Sequence, residues 1–486
     1  MEAGLQDRLY REPSTAPAGI VHLGLGAFFR AHGAIYIAEA MKVSGGNWGV
    51  VGVSLQSSGT RDKLRPQGWA YTALELAPDG EKPQVVTVLR DVLVAPENPQ
   101  AVLDAMALPD VKIVSLTVTE KGYCHEPSTG RLNRGHPDII HDLASPLPKS
   151  APGFLVRALA ARKAAGLPPF TVLCCDNLPE NGRVVRGVVL ELAGLIDADL
   201  ADWIATQGAF PSTMVDRIVP ATTAADLDRL QALTGDRDEA PVMHEPFRQW
   251  VIEDDFVGAA RPDLASVGAQ LVGDVTPFEH MKLRMLNGTH SALAYLGYLA
   301  GYETIADTVA DPAFSAFVKV LWRGEIIPAL IPPPDVDLAA YADALHARYS
   351  NPAIRHRTWQ IAMDGSQKLP QRILGTIAEH RAAGRDVPGL TLAAAAWMRY
   401  ASGRDERGGL IEVKDPLAPR LAALWQDDPA QTVAGFLALT EVFPPTLRDD
   451  AQFADDLIAA LQKLVQSGAQ ASVEGVVDAR SPDPAS

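Results

Sequence analysis

Lys282, Asn287 and His290 stand in EHMKLRMLNGTHSALAYLGY, residues 279–298, a stretch otherwise dominated by apolar side chains. At about 100° per residue the three fall at roughly 0°, 140° and 80° around a helix, all inside one arc. Leu283, Met285, Leu286, Ala292, Leu293, Ala294 and Leu296 are scattered around the rest of the circumference, so the segment reads as a buried helix. Glu279 is the one carboxylate on the lysine's face. An amine, an amide and an imidazole on one face suit hydride-transfer chemistry at a secondary alcohol. That reaction needs a base for the hydroxyl proton and donors around the oxygen as negative charge develops on it. Burial lowers the pKa of a lysine, which lets it serve as the base where other enzymes use zinc, and an asparagine amide stabilises an oxyanion without titrating. Each residue also has an ordinary reading: a snorkelling lysine, a helix-packing asparagine, a satisfied core histidine, a capping glutamate.

The elements that must position such residues follow from the hydrophobic pattern. GIVHLGLG, WGVVGVSL, VKIVSLTV, FTVLCCDN and STMVDRIV are short β-branched runs, apolar on both faces and separated by helical patterns. Strands without alternation imply a parallel sheet covered on both sides, and such sheets bind ligands beyond the strand carboxyl ends. After the first run, Gly24 and Gly26 match the first two glycines of a dinucleotide-binding turn, while Phe29 takes the third position. Gly24, Leu25, Gly26, Phe28, Arg30 and Ser54 are therefore the candidate cofactor-binding residues. Arg30 and His32 serve either a phosphate or the surface. The second strand ends at Ser54 without the acid that would grip the adenosine ribose, Asp62 being the nearest, which leaves the choice between NAD and NADP open. The second half is rich in Ala and Leu at helical spacing. Thr276, Pro277 and Glu279 read as an N-cap, a first-turn proline and a capping-box glutamate, which starts the Lys282 helix near 277. The expected organisation is an α/β Rossmann-type domain over 1–275 and a mainly α-helical substrate and catalytic domain over 276–486.

Composition narrows the classes. The chain has 486 residues, 47% of them hydrophobic and 21% charged, with a formal net charge of −16. That balance suits a globular protein and argues against sequence-independent nucleic-acid binding. No apolar run reaches the ~18 residues of a membrane span. The N-terminus lacks a basic leader and apolar stretch, and Cys124, Cys174 and Cys175 read as reduced thiols, so a cytoplasmic location is expected. No CxxC pair or histidine-rich cluster suggests zinc. IPALIPPPDVDL, residues 327–338, reads as a loop and the tail VEGVVDARSPDPAS as frayed. A monomer or small homo-oligomer with a small-molecule partner is expected.

KLRMLNGTH resembles the Lys-x4-Asn-x2-His signature of the mannitol dehydrogenase family, the polyol-specific long-chain dehydrogenases. VHLGLGAFFRAH, SLTVTEKGYC, CDNLPENG, MVDRIVP, EPFRQWVIEDDF and DGSQKLP extend the resemblance in order over nearly the whole chain. The resemblance implies an N-terminal Rossmann-type domain and a mainly helical C-terminal domain, with the active site between them. It implies Lys282 as general base, Asn177 and Asn287 as the oxyanion hole, His290 as a positioner of substrate oxygens and Glu279 as an aid to proton exchange. Asp216 and Lys368 match further substrate-site positions. Within the family the chain looks closest to fructuronate reductases. Lys121 stands where mannitol enzymes often have a second glycine, and Gln360 where they tend to have an arginine. A uronate brings a carboxylate, and the cluster Arg355, His356, Arg357, Lys368 and Arg372 is a source of cations, or else a solvated helix face. The expected activity is NAD-linked, metal-independent interconversion of D-fructuronate, a sugar acid, and D-mannonate. The alternatives are a mannitol 2-dehydrogenase or a related arabinitol or sorbitol dehydrogenase with a neutral polyol substrate and, from another class, a non-catalytic dinucleotide-binding sensor.

Overall fold

Strands that are apolar on both faces must be covered on both faces, and the N-terminal unit is built that way. The computed structural model describes residues 8–126 and 129–480, and the chain divides into two compact units between Thr276 and Pro277. The strands in chain order are β1 (Ala18–Leu23), β2 (Gly49–Ser54), β3 (Tyr71–Ala77), β4 (Gly80–Val86), β5 (Leu89–Val94), β6 (Ile113–Leu116), β7 (Thr171–Cys174), β8 (Thr213–Asp216), β9 (Val242–His244), β10 (Gln249–Glu253) and β11 (Gln270–Val272). The main sheet has the order β5-β2-β1-β6-β7 and is parallel throughout. Val21, Leu23, Val114 and Leu116 pack into one apolar cluster with the helices Ala151–Ala164 and Asn181–Ile196. Ile20, Val50 and Ile113 pack into a second cluster with the helix Gly33–Ser44. Neighbouring residues of one strand thus enter different cores, which is why these strands show no alternation.

Four of the five runs form main-sheet strands, and the fifth does not. STMVDRIV supplies β8, which pairs antiparallel with β10 in a separate sheet of order β11-β10-β8. The remaining main-sheet edge is β5, whose sequence LRDVLV buries Leu89, Val92 and Val94 and leaves Arg90, Asp91 and Leu93 half-buried. A third sheet, β4-β3-β9, lies outside the doubly covered layer.

The second unit is helical. The helix Pro388–Ala401 contributes Ala393, Ala394, Ala395 and Ala396, all fully buried. Small side chains there let Thr289–Ala300 and Ala451–Arg480 pack closely on it. The last of these is two helical stretches joined at Gly468, whose φ of +80 suits glycine. The tail expected to fray is helical as far as Arg480, and residues 481–486 lie outside the described residues. The loop expected over 327–338 opens on a 3₁₀ turn, Ile327–Ala329, and ends at the helix Leu338–Tyr349. Among the described residues no helix is long and apolar enough to cross a membrane.

Three π-helical turns mark this unit: Lys282–Gly288, Leu321–Ile326 and Pro370–Leu374. The second carries Glu325, a fully buried carboxylate that accepts the amides of Gly389 (2.9 Å) and Leu390 (2.8 Å) at the start of the helix Pro388–Ala401. Burial outweighs those bonds and pushes the carboxyl up to about 7. A carboxyl raised in the folded state holds its proton there after the unfolded chain has lost it. Stability is therefore expected to fall as pH rises from about 4.5 to about 7. Thermal unfolding followed across that window should show the decline in the wild type and a flatter profile in Glu325→Gln; parallel profiles would assign the pH dependence to other groups.

Candidate active site

The helix expected to start near 277 begins at Thr276, where Asp274 Oδ1 accepts the Thr276 amide at 2.9 Å. After Met281 it does not stay α-helical. Lys282–Gly288 is a π-turn, and α-helical geometry resumes at Thr289. This corrects the 100°-per-residue placement of the three polar residues. In an α-helix positions 282 and 287 are about 140° apart, whereas an i→i+5 turn sets the fifth residue one bonded turn above the first. The wider turn thus aligns Lys282, which is 7% exposed, with the half-buried Asn287.

A π-turn needs its displaced carbonyls satisfied from outside. Trp322 Nε1 donates to Met285 O at 3.0 Å, and Tyr349 OH donates to Leu286 O at 2.7 Å. Both donors are buried aromatics whose other surface fills the core. Gly288 is the point of closest approach, because a Cβ there would lie 2.5 Å from Arg372 O in the π-turn Pro370–Leu374. Arg284, on the outer side, holds Glu379 through two bonds of 2.6 Å.

His290 is 6% exposed and stacks on Tyr349, with centroids 4.9 Å apart. Its Nε2 is buried without a hydrogen-bond partner. Burial, then His356, Arg372, Arg348 and Lys368, hold its pKa well below the usual histidine value, so the ring is neutral. No hydrogen bond engages the Asn287 side chain among the described residues, while Glu279 is half-buried in the first helical turn. Lys368 donates through Nζ to Met363 O at 2.6 Å. Its segment is pinned: Asp364 has φ +56, Ser366 Oγ donates to Asp415 Oδ1 at 2.6 Å, and a Cβ on Gly365 would meet Trp397 and Tyr295. Gln360 is exposed, and so are Arg355 and Arg357, which face Glu303 at 3.8 and 3.1 Å.

In the first unit the turn after β1 lies where the strand order reverses, between β1 and β6. Gly24 has φ +89, and a Cβ there would sit 2.2 Å from Thr117 O. His22 fixes this junction, bonding Ser115 Oγ (2.8 Å) and Thr117 Oγ1 (2.9 Å), while Thr117 Oγ1 donates to Gly24 O (2.9 Å). Gly26 is exposed with only Gly24 O, at 3.8 Å, near its absent Cβ, so its backbone stands open to a bound group. Leu25 is buried against Gly52, Phe28 stacks on His32, and Ser54 ends β2 with its carbonyl bonded to the Ala95 amide.

Arg30 and His32 are buried and not surface groups. Arg30 is 8% exposed and donates to Ala240 O at 2.5 Å, and His32 Nε2 bonds Gln249 O at 2.9 Å with burial lowering its pKa to about 3. The loops after β6 and β7 are tied by a residue absent from the sequence-based candidates. Asp176 accepts the amides of Val118 (2.8 Å) and Thr119 (3.2 Å) and the Tyr123 hydroxyl (2.6 Å). Asn181 adds a second tie, donating to Asp176 O and Thr213 O and accepting the Thr213 amide. Both lie inside CDNLPENG, where a cluster of turn-forming polar residues after a buried strand was the available signal. These ties leave Asn177 and Lys121 exposed beyond the strand ends, while Asp216 is buried at the end of β8.

Cys124, His136 and Asp138 form the one ligand-like cluster among the described residues. His136 Nδ1 accepts the Asp138 amide at 3.2 Å and so caps the helix Pro137–Ala144.

Residues 18–266 match the model of the mannitol dehydrogenase Rossmann domain, and residues 274–465 match that of the mannitol dehydrogenase C-terminal domain. The D-mannonate oxidoreductase of Escherichia coli is 47% identical over 461 residues, covering 93% of this chain and 94% of its own. A mannitol 2-dehydrogenase of Pyrenophora tritici-repentis is 41% identical, covering 94% of this chain and 81% of its own. The mannitol 2-dehydrogenase of Pseudomonas fluorescens, solved as a ternary complex with NAD and D-mannitol, superimposes with a TM-score of 0.87 at 38% identity, covering 97% of this chain and 96% of that one.

The π-turn makes a stability prediction. Tyr349→Phe removes one of two donors to Leu286 O, which also accepts the Thr289 amide, and should cost about 0.5–1.5 kcal/mol in unfolding free energy, the net worth of one hydrogen bond. Gly288→Ala should cost at least as much, because its Cβ meets a backbone oxygen rather than a flexible side chain. Denaturant unfolding tests both, and wild-type stability in the pair would mean that the turn does not depend on these contacts.

Proposed function

The chain belongs to the mannitol dehydrogenase family, and from that premise we propose that it is an NAD-linked, metal-independent oxidoreductase interconverting D-fructuronate and D-mannonate with Lys282 as general base. One observation carries the reading above the others: a buried lysine in a π-turn, with an amide that has no partner among the described residues one bonded turn on. A helix tolerates that irregular geometry at a cost, and such turns recur at functional sites.

The open backbone at Gly26 and the tight turn at Gly24 suit the pyrophosphate of a dinucleotide, with Leu25, Phe28 and Ser54 around the same turn. When bound, the nicotinamide supplies or accepts the hydride. The chain's own residues handle the proton and the charge. Lys282 takes the hydroxyl proton during oxidation and returns it during reduction. The Asn287 amide donates to the substrate oxygen as it becomes anionic, and the family resemblance assigns Asn177 the same task. Glu279 relays the lysine's proton to solvent. His290, neutral and with a nitrogen unsatisfied by protein, bonds a substrate oxygen. Asp216 and Lys368 complete the set of polar contacts.

The likeness to a D-mannonate oxidoreductase supports a sugar-acid substrate, and Lys121, an exposed cation after β6, is our candidate for the carboxylate contact. The likeness to mannitol 2-dehydrogenases favours a second reading, the same chemistry on a neutral polyol.

Lys282→Ala should lower turnover by about 10²–10⁴-fold, the usual contribution of a positioned base, while NADH binding measured by fluorescence stays near wild type. Oxidation by the wild type should rise with pH as the lysine loses its proton. Retained turnover in Lys282→Ala would remove the base from the mechanism. Dialysis against a strong chelator should leave activity unchanged, and a loss reversed by zinc would replace the lysine with a metal. Assays of keto acids and keto sugars with NADH and NADPH should give D-fructuronate the higher kcat/KM over D-fructose, by about ten-fold or more for one charge-assisted contact. Lys121→Gly should narrow that ratio, whereas a preference for fructose or mannitol would establish the polyol reading.

A further inference from the structure

The sequence RHR, residues 355–357, places three basic side chains in a row, and the structure sends them to different places. Arg355 and Arg357 turn outward to Glu303, while His356 turns in against His290, edge to face, with centroids 4.9 Å apart at 84°. Among the described residues neither His356 Nδ1 nor His290 Nε2, both buried, has a hydrogen-bond partner. Its backbone is held from both sides, the amide donating to Ile354 O at 2.9 Å and the carbonyl accepting the Ile305 amide at 3.0 Å. The ring is thus fixed in position with a polar atom that the protein leaves unsatisfied.

We propose that His356 is a substrate-binding residue that, together with His290, holds two hydroxyl-bearing carbons of an open-chain polyhydroxy ketone. This assignment rests on the reading of the site as that of a sugar or sugar-acid dehydrogenase. The chemistry of the rings selects the ligand class. Burial, with Lys368 nearby, lowers the His356 pKa to about 4, and burial likewise holds His290 well below the usual histidine value, so both rings are neutral. A neutral imidazole presents one donor and one acceptor. A hydroxyl both donates and accepts and can answer either nitrogen in either tautomer, whereas a carboxylate only accepts. The pair is therefore matched to hydroxyls along the chain rather than to the acid group. It also explains how a region containing Lys368, Arg372 and Arg348 gains hydrogen-bonding capacity without gaining further charge.

The test uses the full-length enzyme and NADH. His356→Phe keeps a ring for the contact with His290 and removes both nitrogens, and His356→Asn restores an amide near the position of Nδ1. With D-fructuronate and D-fructose as substrates, His356→Phe should raise KM by about ten- to a hundred-fold with unchanged melting temperature and NADH affinity, and His356→Asn should recover part of the loss. On deoxy analogues lacking one chain hydroxyl at a time, one analogue should give wild type and His356→Phe the same KM. An unchanged KM in His356→Phe overturns the assignment. So does a loss shared with melting temperature and NADH affinity that His356→Asn does not recover, since that is the behaviour of a packing residue. If the wild type reduces no polyhydroxy ketone in the panel, the functional reading itself falls and takes this assignment with it.

Discussion

The wide turn at Lys282–Gly288 is the constraint on which the second unit is organised. An α-helix there would place Asn287 well around the axis from Lys282, and the two polar groups would serve different surfaces. Widening the turn costs regular backbone bonds, and Trp322 and Tyr349 make up for that loss by capping the carbonyls of Met285 and Leu286. Those donors come from the segments after Pro312–Val320 and within Leu338–Tyr349, so the site geometry fixes where two further elements must pack. Tyr349 works twice, since its ring also supports His290. The absence of a side chain at Gly288 lets the Pro370–Leu374 turn press close, and that turn continues the segment bearing Lys368.

The first unit solves a related problem with different means. A parallel sheet delivers its loops to one edge, but loops in water wander unless they are tied. Here the ties are buried and polar: His22 links β1 to β6, and Asp176 links the loop after β7 to the loop after β6. Both groups pay for burial in a shifted pKa, His22 lowered to about 3 and Asp176 raised, and both stay fully hydrogen-bonded. The result is a fixed frame from which Gly26, Asn177 and Lys121 project to the surface.

Much of this was legible in the sequence because it depends on short-range pattern. The doubly apolar runs at 19–26, 48–55, 111–118 and 170–177 report burial on two faces, and burial on two faces requires a covered parallel sheet. The run at 212–219 has the same composition and pairs elsewhere, because strand partners are decided by tertiary packing that composition does not encode. The π-turn escaped for a similar reason. Nothing in KLRMLNG distinguishes i→i+5 from i→i+4 bonding, and the distinction is enforced by Trp322 and Tyr349, more than thirty residues away. Arg30 shows the limit for single residues: its position after a glycine turn suggests phosphate, and nothing local indicates that its guanidinium also donates to Ala240 O, a backbone oxygen two hundred residues on.

The electrostatics of the second unit bear on how substrate is chosen. Burial, then His356, Arg372, Arg348 and Lys368, holds the His290 pKa down, so cations gather near that ring although the chain as a whole carries −16. A positive potential favours the growing negative charge on an alcohol oxygen during oxidation, and it favours a substrate carboxylate as well. Field alone therefore serves a polyol and a sugar acid alike. Discrimination must come from point contacts with defined directionality, where one missing partner leaves a buried group unsatisfied. In the proposed mechanism neutral imidazoles would read hydroxyls in this way, and a fixed cation outside the histidine pair would read the acid. On this proposed division of labour, the helical unit would recognise what sugars and sugar acids share, and the exposed loop after β6 would carry the contact to the group that distinguishes them.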